Sequence, residues 1–119
     1  MRVAAWQMFG SLFFGAVNKL EELLDPREGH PEVVILDMAR LIQLDTTGLE
    51  GLENLRDKLH KRGCTLIVCG MNSQPGSLLF RSGFIDHLGD DNVCADLSEA
   101  LKRAYILLPN LMGGFEEDY

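Results

Sequence analysis

The 119-residue chain predicts a single α/β domain built on a mainly parallel β-sheet with flanking helices. Three observations predict it. Short apolar runs alternate with stretches whose hydrophobic residues recur at helical spacing. The runs at residues 33–36 and 64–69 are nearly continuous, the pattern of strands covered on both faces. The segments between these units are short, as right-handed crossover connections require.

Taken in order, residues 3–9 read as a strand that Gly10-Ser11 breaks. A helix follows, because Phe13, Phe14, Val17, Leu20, Leu23 and Leu24 repeat at helical spacing. Residues 25–31 have the proline, glycine and charge content of a loop. Val33-Val34-Ile35-Leu36 is the second strand, ending at Asp37. From Thr47 to Arg62, Leu49, Leu52, Leu55 and Leu59 mark the buried face of a helix that Gly63 stops, with an Asp57–Lys61 pair on its outer face. Residues 64–70 form another buried strand, and residues 74–82 a brief helix closed by Gly83. A short strand at residues 93–95 precedes Asp96-Leu97-Ser98-Glu99, which has the cap-x-x-Glu pattern of a helix start. That helix is expected to run to about Leu108, and the acidic tail of residues 109–119 is expected to be flexible.

Composition narrows the function classes. The chain is 46% apolar and 24% charged, with a net charge of −7. That charge argues against nucleic acid or an anionic lipid surface as the main partner, since either selects clustered Lys and Arg. Lys58, Lys61 and Arg62 are accounted for as cations in the last turn of a helix. Cys64, Cys69 and Cys94 make neither an even framework nor a C-x-x-C pair, which points to a reducing, cytoplasmic setting. No secretory leader is expected, because Gln7, Gly10 and Ser11 interrupt the first apolar stretch, and no apolar run approaches the twenty residues of a membrane span.

Signatures of catalysis are thin. P-loop, dinucleotide-binding and nucleophile-elbow motifs are missing, and His30, His60 and His87 sit in polar surroundings. A cluster of His87, Asp90 and Asp91 lacks the spacing of a zinc or EF-hand site. No catalytic residue, metal or cofactor is therefore assigned. The stretch that does carry information is Asp45-Thr46-Thr47-Gly48, where an apolar run hands over to the strongest helix. A helix start leaves backbone N–H groups unpartnered and favours negative charge, so the tetrapeptide suits a cap, an anion site or a phosphorylation switch. Thr47-Gly48-Leu49-Glu50 matches a capping box, which predicts Thr47 as the cap.

Placed in order, these pieces resemble the STAS domain, shared by bacterial anti-sigma-factor antagonists and the cytosolic C-terminal part of SulP-type anion transporters. Val34-Ile35-Leu36-Asp37 followed by Leu44-Asp45-Thr46-Thr47-Gly48 is similar to the family's strand and D-[ST]-[ST]-G signature. Leu79-Phe80-Arg81-Ser82-Gly83 is similar to its L-x-x-x-G helix end. Gly10-Ser11-Leu12-Phe13-Phe14-Gly15-Ala16 resembles the transporter branch, as does Gly89-Asp90-Asp91-Asn92-Val93 followed by Glu99-Ala100-Leu101.

The resemblance implies a STAS domain over residues 1–108 that lacks the family's first edge strand, acting as a non-catalytic regulatory or interaction module of a sulfate-like anion transporter. Its expected partners are another protein or the membrane part of its own transporter. A homodimer through the N-terminal strand and weak nucleotide binding at the Asp45 loop are further implications. Asp45, Thr46, Thr47 and Gly48 are the expected interaction or anion-binding loop; in the alternative, a free-standing anti-sigma-factor antagonist, Thr46 is the phosphoacceptor, and Asp45 and Thr47 shape its surroundings.

Overall fold

The computed structural model describes residues 3–12 and 32–107. Its strands are β1 (Val3–Leu12), β2 (Val33–Leu44), β3 (Thr65–Cys69) and β4 (Val93–Cys94), which lie side by side in that order with every neighbouring pair parallel. Helix α1 (Thr46–Lys61) links β2 to β3. Between β3 and β4 come α2 (Ser73–Arg81), α3 (Phe84–Leu88) and a 3₁₀ turn (Asp90–Asn92), and α4 (Leu97–Leu107) follows β4. This is the expected class of fold. The expected helix beginning at Phe13, the loop of residues 25–31 and the tail of residues 109–119 lie outside the described residues.

Strand alternation explains why the run at residues 33–36 is apolar throughout. Val34 and Leu36 join Leu66 and Val68 on one face of the sheet, against Leu49, Leu52, Leu55 and Leu59 of α1 and Leu79 and Phe84 beyond it. Val33 and Ile35 point the other way with Ile67 and Cys69, where Ala100 and Ala104 of α4 cover them. Leu52 and Leu55 are wholly buried, each contributing about 1.5–3 kcal/mol through area removed from water.

The end of α1 follows from Gly63. Its φ of 74° is the left-handed region that glycine enters without a Cβ penalty. Gly63 N–H then donates to His60 O at 3.0 Å and Cys64 N–H to Leu59 O at 2.8 Å, the paired bonds of a Schellman motif. On the outer face Asp57 is engaged by Arg56 Nε and Nη2 at 3.1 Å, in place of the expected pair to Lys61.

Two expectations about boundaries are corrected. Gly10-Ser11 does not break β1, and Asp37 does not end β2: the two strands pair on to Leu12 and Leu44. Register shifts between Gln7 and Phe9 and between Gly10 and Ser11 make this possible. Across each shift β2 advances one residue more than β1, so its 12 residues oppose the 10 of β1. Buried positions on β2 accordingly change spacing, from Val34, Leu36 and Met38 to Leu41 and Leu44. Read as a strict alternation, this stretch looks like a loop. Helix α3 and the 3₁₀ turn fill residues 84–92, between the expected helix closed by Gly83 and the expected strand at residues 93–95.

Candidate functional site

Beyond Asp37, β2 has left β3 behind, because their pairing stops at Asp37 and Cys69. Two side-chain amides at the start of α2 stand in for the missing strand. Asn72 Nδ2 donates to Ala39 O at 3.0 Å and to Leu41 O at 2.8 Å. Gln74 makes a reciprocal pair with one residue: its Oε1 accepts from Leu44 N–H at 2.8 Å, and its Nε2 donates to Leu44 O at 2.9 Å. Asp37 Oδ1 accepts from the Ala39 N–H at 3.0 Å. The loop carrying Asn72 sits close to this segment only because residue 70 is glycine. At φ 69° a Cβ on Gly70 would lie 3.2 Å from Ala39 Cβ and 3.3 Å from its backbone N.

With Leu44 held this way and fully sunk in the core, the next residue must turn the chain into α1. Asp45 does so in extended conformation, φ −99° and ψ 178°, and its Oδ1 accepts from Gly48 N–H at 2.7 Å. The N-cap is therefore Asp45 and not Thr47, and the expected capping box from Thr47 to Glu50 does not form. The physical reason is position: Thr46 and Thr47 already have helical geometry, and a carboxylate beside unpartnered N–H groups gains from the helix dipole as well as from the hydrogen bond. Gly48 lies buried in the first turn, whereas Asp45, Thr46 and Thr47 are exposed. The tetrapeptide thus divides into an anchor at each end and two solvent-facing threonines between them.

Near these threonines in sequence, Ile42 is 67% exposed on the bulged stretch of β2. Sequence reasoning noticed Ile42 only as part of the approach to Asp45 and missed Asn72 and Gln74 altogether. An amide before a helix is common enough to carry no signal, and its partners lie about thirty residues away.

Elsewhere, a cleft of about 370 Å³ is lined by Arg56, Asp57, His60, Cys64, Thr65, Leu66, His87, Leu88 and Asn92. It brings His60 and His87 together beside Arg56, whose Nη1 is buried without a hydrogen-bond partner. The Arg56 guanidinium is held by Asp57 on one edge and stacks over the Phe84 ring at 5.1 Å, with Nη1 buried. His87 Nδ1 lies 3.0 Å from Gly83 O. Burial raises the neighbouring Cys64 thiol to about 11, with Arg62 opposing the shift. Among the described residues no three His, Cys, Asp or Glu side chains are placed to hold a metal ion, and no helix is long and apolar enough to cross a membrane.

A parallel sheet layered between α1 and α4 is the fold shared with known domains. The STAS domain model matches residues 3–100, and the chain belongs to that family. Its relatives lie in the SulP branch. A sulfate transporter family protein from Wolinella succinogenes superposes with a TM-score of 0.83 at 33% identity, covering 92% of this chain and 89% of that one. The SulP transporter STAS domain from Vibrio cholerae gives 0.82 at 27% identity, over 92% and 85%. Sulfate transporter 1.2 of Arabidopsis thaliana is 32% identical over 83 residues, which cover 66% of this chain and 12% of the transporter. The chain thus spans a small fraction of the length of the transporters it matches.

Proposed function

We propose that this chain is the non-catalytic regulatory and interaction domain of a SulP-type anion transporter, working at the cytoplasmic face of the membrane. One observation supports the reading most: the Asp45 helix start is fully anchored by its own residues and by Gln74, yet presents Thr46 and Thr47 to solvent. Neither hydroxyl is needed for capping, because the Asp45 carboxylate fills that role. Their exposure, beside Ile42, suits a contact with the transporter's own membrane part or with another protein. Phosphorylation of Thr46 would add nearly two negative charges next to Asp45, stabilised by the helix start but repelling a partner packed against it. Among the described residues β1 stands first in the sheet order, and its outer edge is the second contact in this reading, through which two copies pair.

The test is site-specific photocrosslinking from position 46 in cells expressing the full-length parent protein. Adducts within the parent's membrane segments, or with a single partner protein, are expected. A parent gene without membrane spans, or crosslinks that scatter equally from position 46 and from a control on the far side of α4, overturns the reading.

A further inference from the structure

The three cysteines are free and divide between the two faces of the sheet. Cys64 packs in the core beneath α1, whereas Cys69 and Cys94 belong to the face that α4 covers. Cys69 ends β3, Cys94 ends β4, and the two are direct register partners in a parallel pair. Adjacent strands run about 4.8 Å apart, which places register partners inside the roughly 4.4–6.8 Å Cα separation of disulfides. Their side chains leave the sheet on the same side. Gly70 N–H donates to Cys94 O at 3.2 Å and fixes the register at the pair itself. Because β4 is two residues long and lies at the sheet edge, it can tilt by the small amount that bond formation requires.

We propose that Cys69 and Cys94 form a reversible dithiol–disulfide site, an oxidation-sensitive latch that ties β4 to β3. Accessibility sets the order of events. Cys94 is half-buried and Cys69 completely buried, so Cys94 meets the oxidant first. With a small disulfide such as oxidised glutathione, the Cys94 thiolate attacks one sulfur and releases one glutathione thiol. The Cys69 thiolate then attacks Cys94 Sγ and releases the second. Each protein thiol gives up its proton, each released glutathione thiolate takes one, and the two electrons pass from the protein sulfurs to the reduced glutathione pair.

The surroundings slow the closing of the latch. Burial, followed by the charge of Asp37, pushes the Cys69 thiol up to about 12, and burial, with Glu99 against Arg103, also raises Cys94. Thiols held protonated react slowly, so the bond forms over prolonged exposure to the oxidant.

The test uses the full 119-residue chain incubated with oxidised glutathione, digested without reduction and analysed by mass spectrometry. A linked Cys69–Cys94 peptide is expected, and cross-linking a loop of this size raises Tm by about 5 °C or more until a thiol reductant restores the starting value. Cys64→Ala, on the opposite face, keeps the link, whereas Cys94→Ala at its half-buried position loses it while folding normally. A glutathione adduct on Cys94 that never resolves, a link between two copies through Cys94, or a Cys69 that stays free under all oxidant levels overturns the proposal.

Discussion

Helices α1 and α4 both begin with an aspartate, and the two starts differ in what they leave over. At α4, Asp96 Oδ1 accepts from Glu99 N–H at 2.9 Å, while Glu99 Oε2 reaches back to Ala95 N–H at 2.8 Å. Both acidic side chains are consumed in a local, reciprocal arrangement. At α1, Asp45 Oδ1 accepts from the residue in the same position, but that residue is Gly48, which has no side chain to return the bond. Bracing comes instead from Gln74, on another element. A start that closes on itself is a structural terminus. One braced from behind leaves its outward hydroxyls available for the contact proposed above.

Experiments that unbalance the two starts sharpen this contrast. Gln74→Ala should have the largest effect, since it removes two hydrogen bonds and leaves the Leu44 N–H and C=O part-buried without partners. A loss of about 2–3 kcal/mol is expected in urea unfolding, with faster amide exchange around Asp45 and unchanged exchange at α4. Equal exchange at both helix starts would contradict the bracing role. Asp45→Ala and Asp96→Ala should each cost about 1 kcal/mol, the ordinary value of an N-cap. Smaller again is Glu99→Ala, about 0.5 kcal/mol, confined to α4 because its partner is the exposed Ala95 N–H. Thr46→Ala closes the series: stability should move by less than about 0.5 kcal/mol, while partner capture by the full-length parent protein falls several-fold. A clear stability loss with unchanged capture would reassign Thr46 to the fold.

What could be read in advance depended on distance along the chain. The continuous apolar run at residues 33–36, the leucine face of α1, Gly63 as its stop and Asp96 with Glu99 are local patterns with local causes, and each appears where expected. The Asp45 stretch was legible as a helix start but not in its register, because Asp45, Thr46 and Thr47 are consecutive residues all suited to capping. What selects Asp45 is Leu44, sunk in the core and pinned by a residue thirty positions later. The extension of β2 was hidden for the complementary reason. Ala39, Arg40, Ile42 and Gln43 interrupt the apolar alternation, and only pairing with β1 reveals that the interruptions are extra residues inside a strand.

Those extra residues carry a consequence for how this region can change. Met38, Leu41 and Leu44 all reach the same core although they are three apart, which works because each shift resets the phase of the strand by one residue. Amino-acid replacement at Ile42 or Gln43 alters mainly what the solvent meets, for both are exposed. Shortening the segment by a single residue is another matter: Leu44 would rotate outward and Asp45 inward, and α1 would leave the sheet pointing the wrong way. Length, more than composition, is what this stretch conserves as a mechanical setting for the surface beyond it.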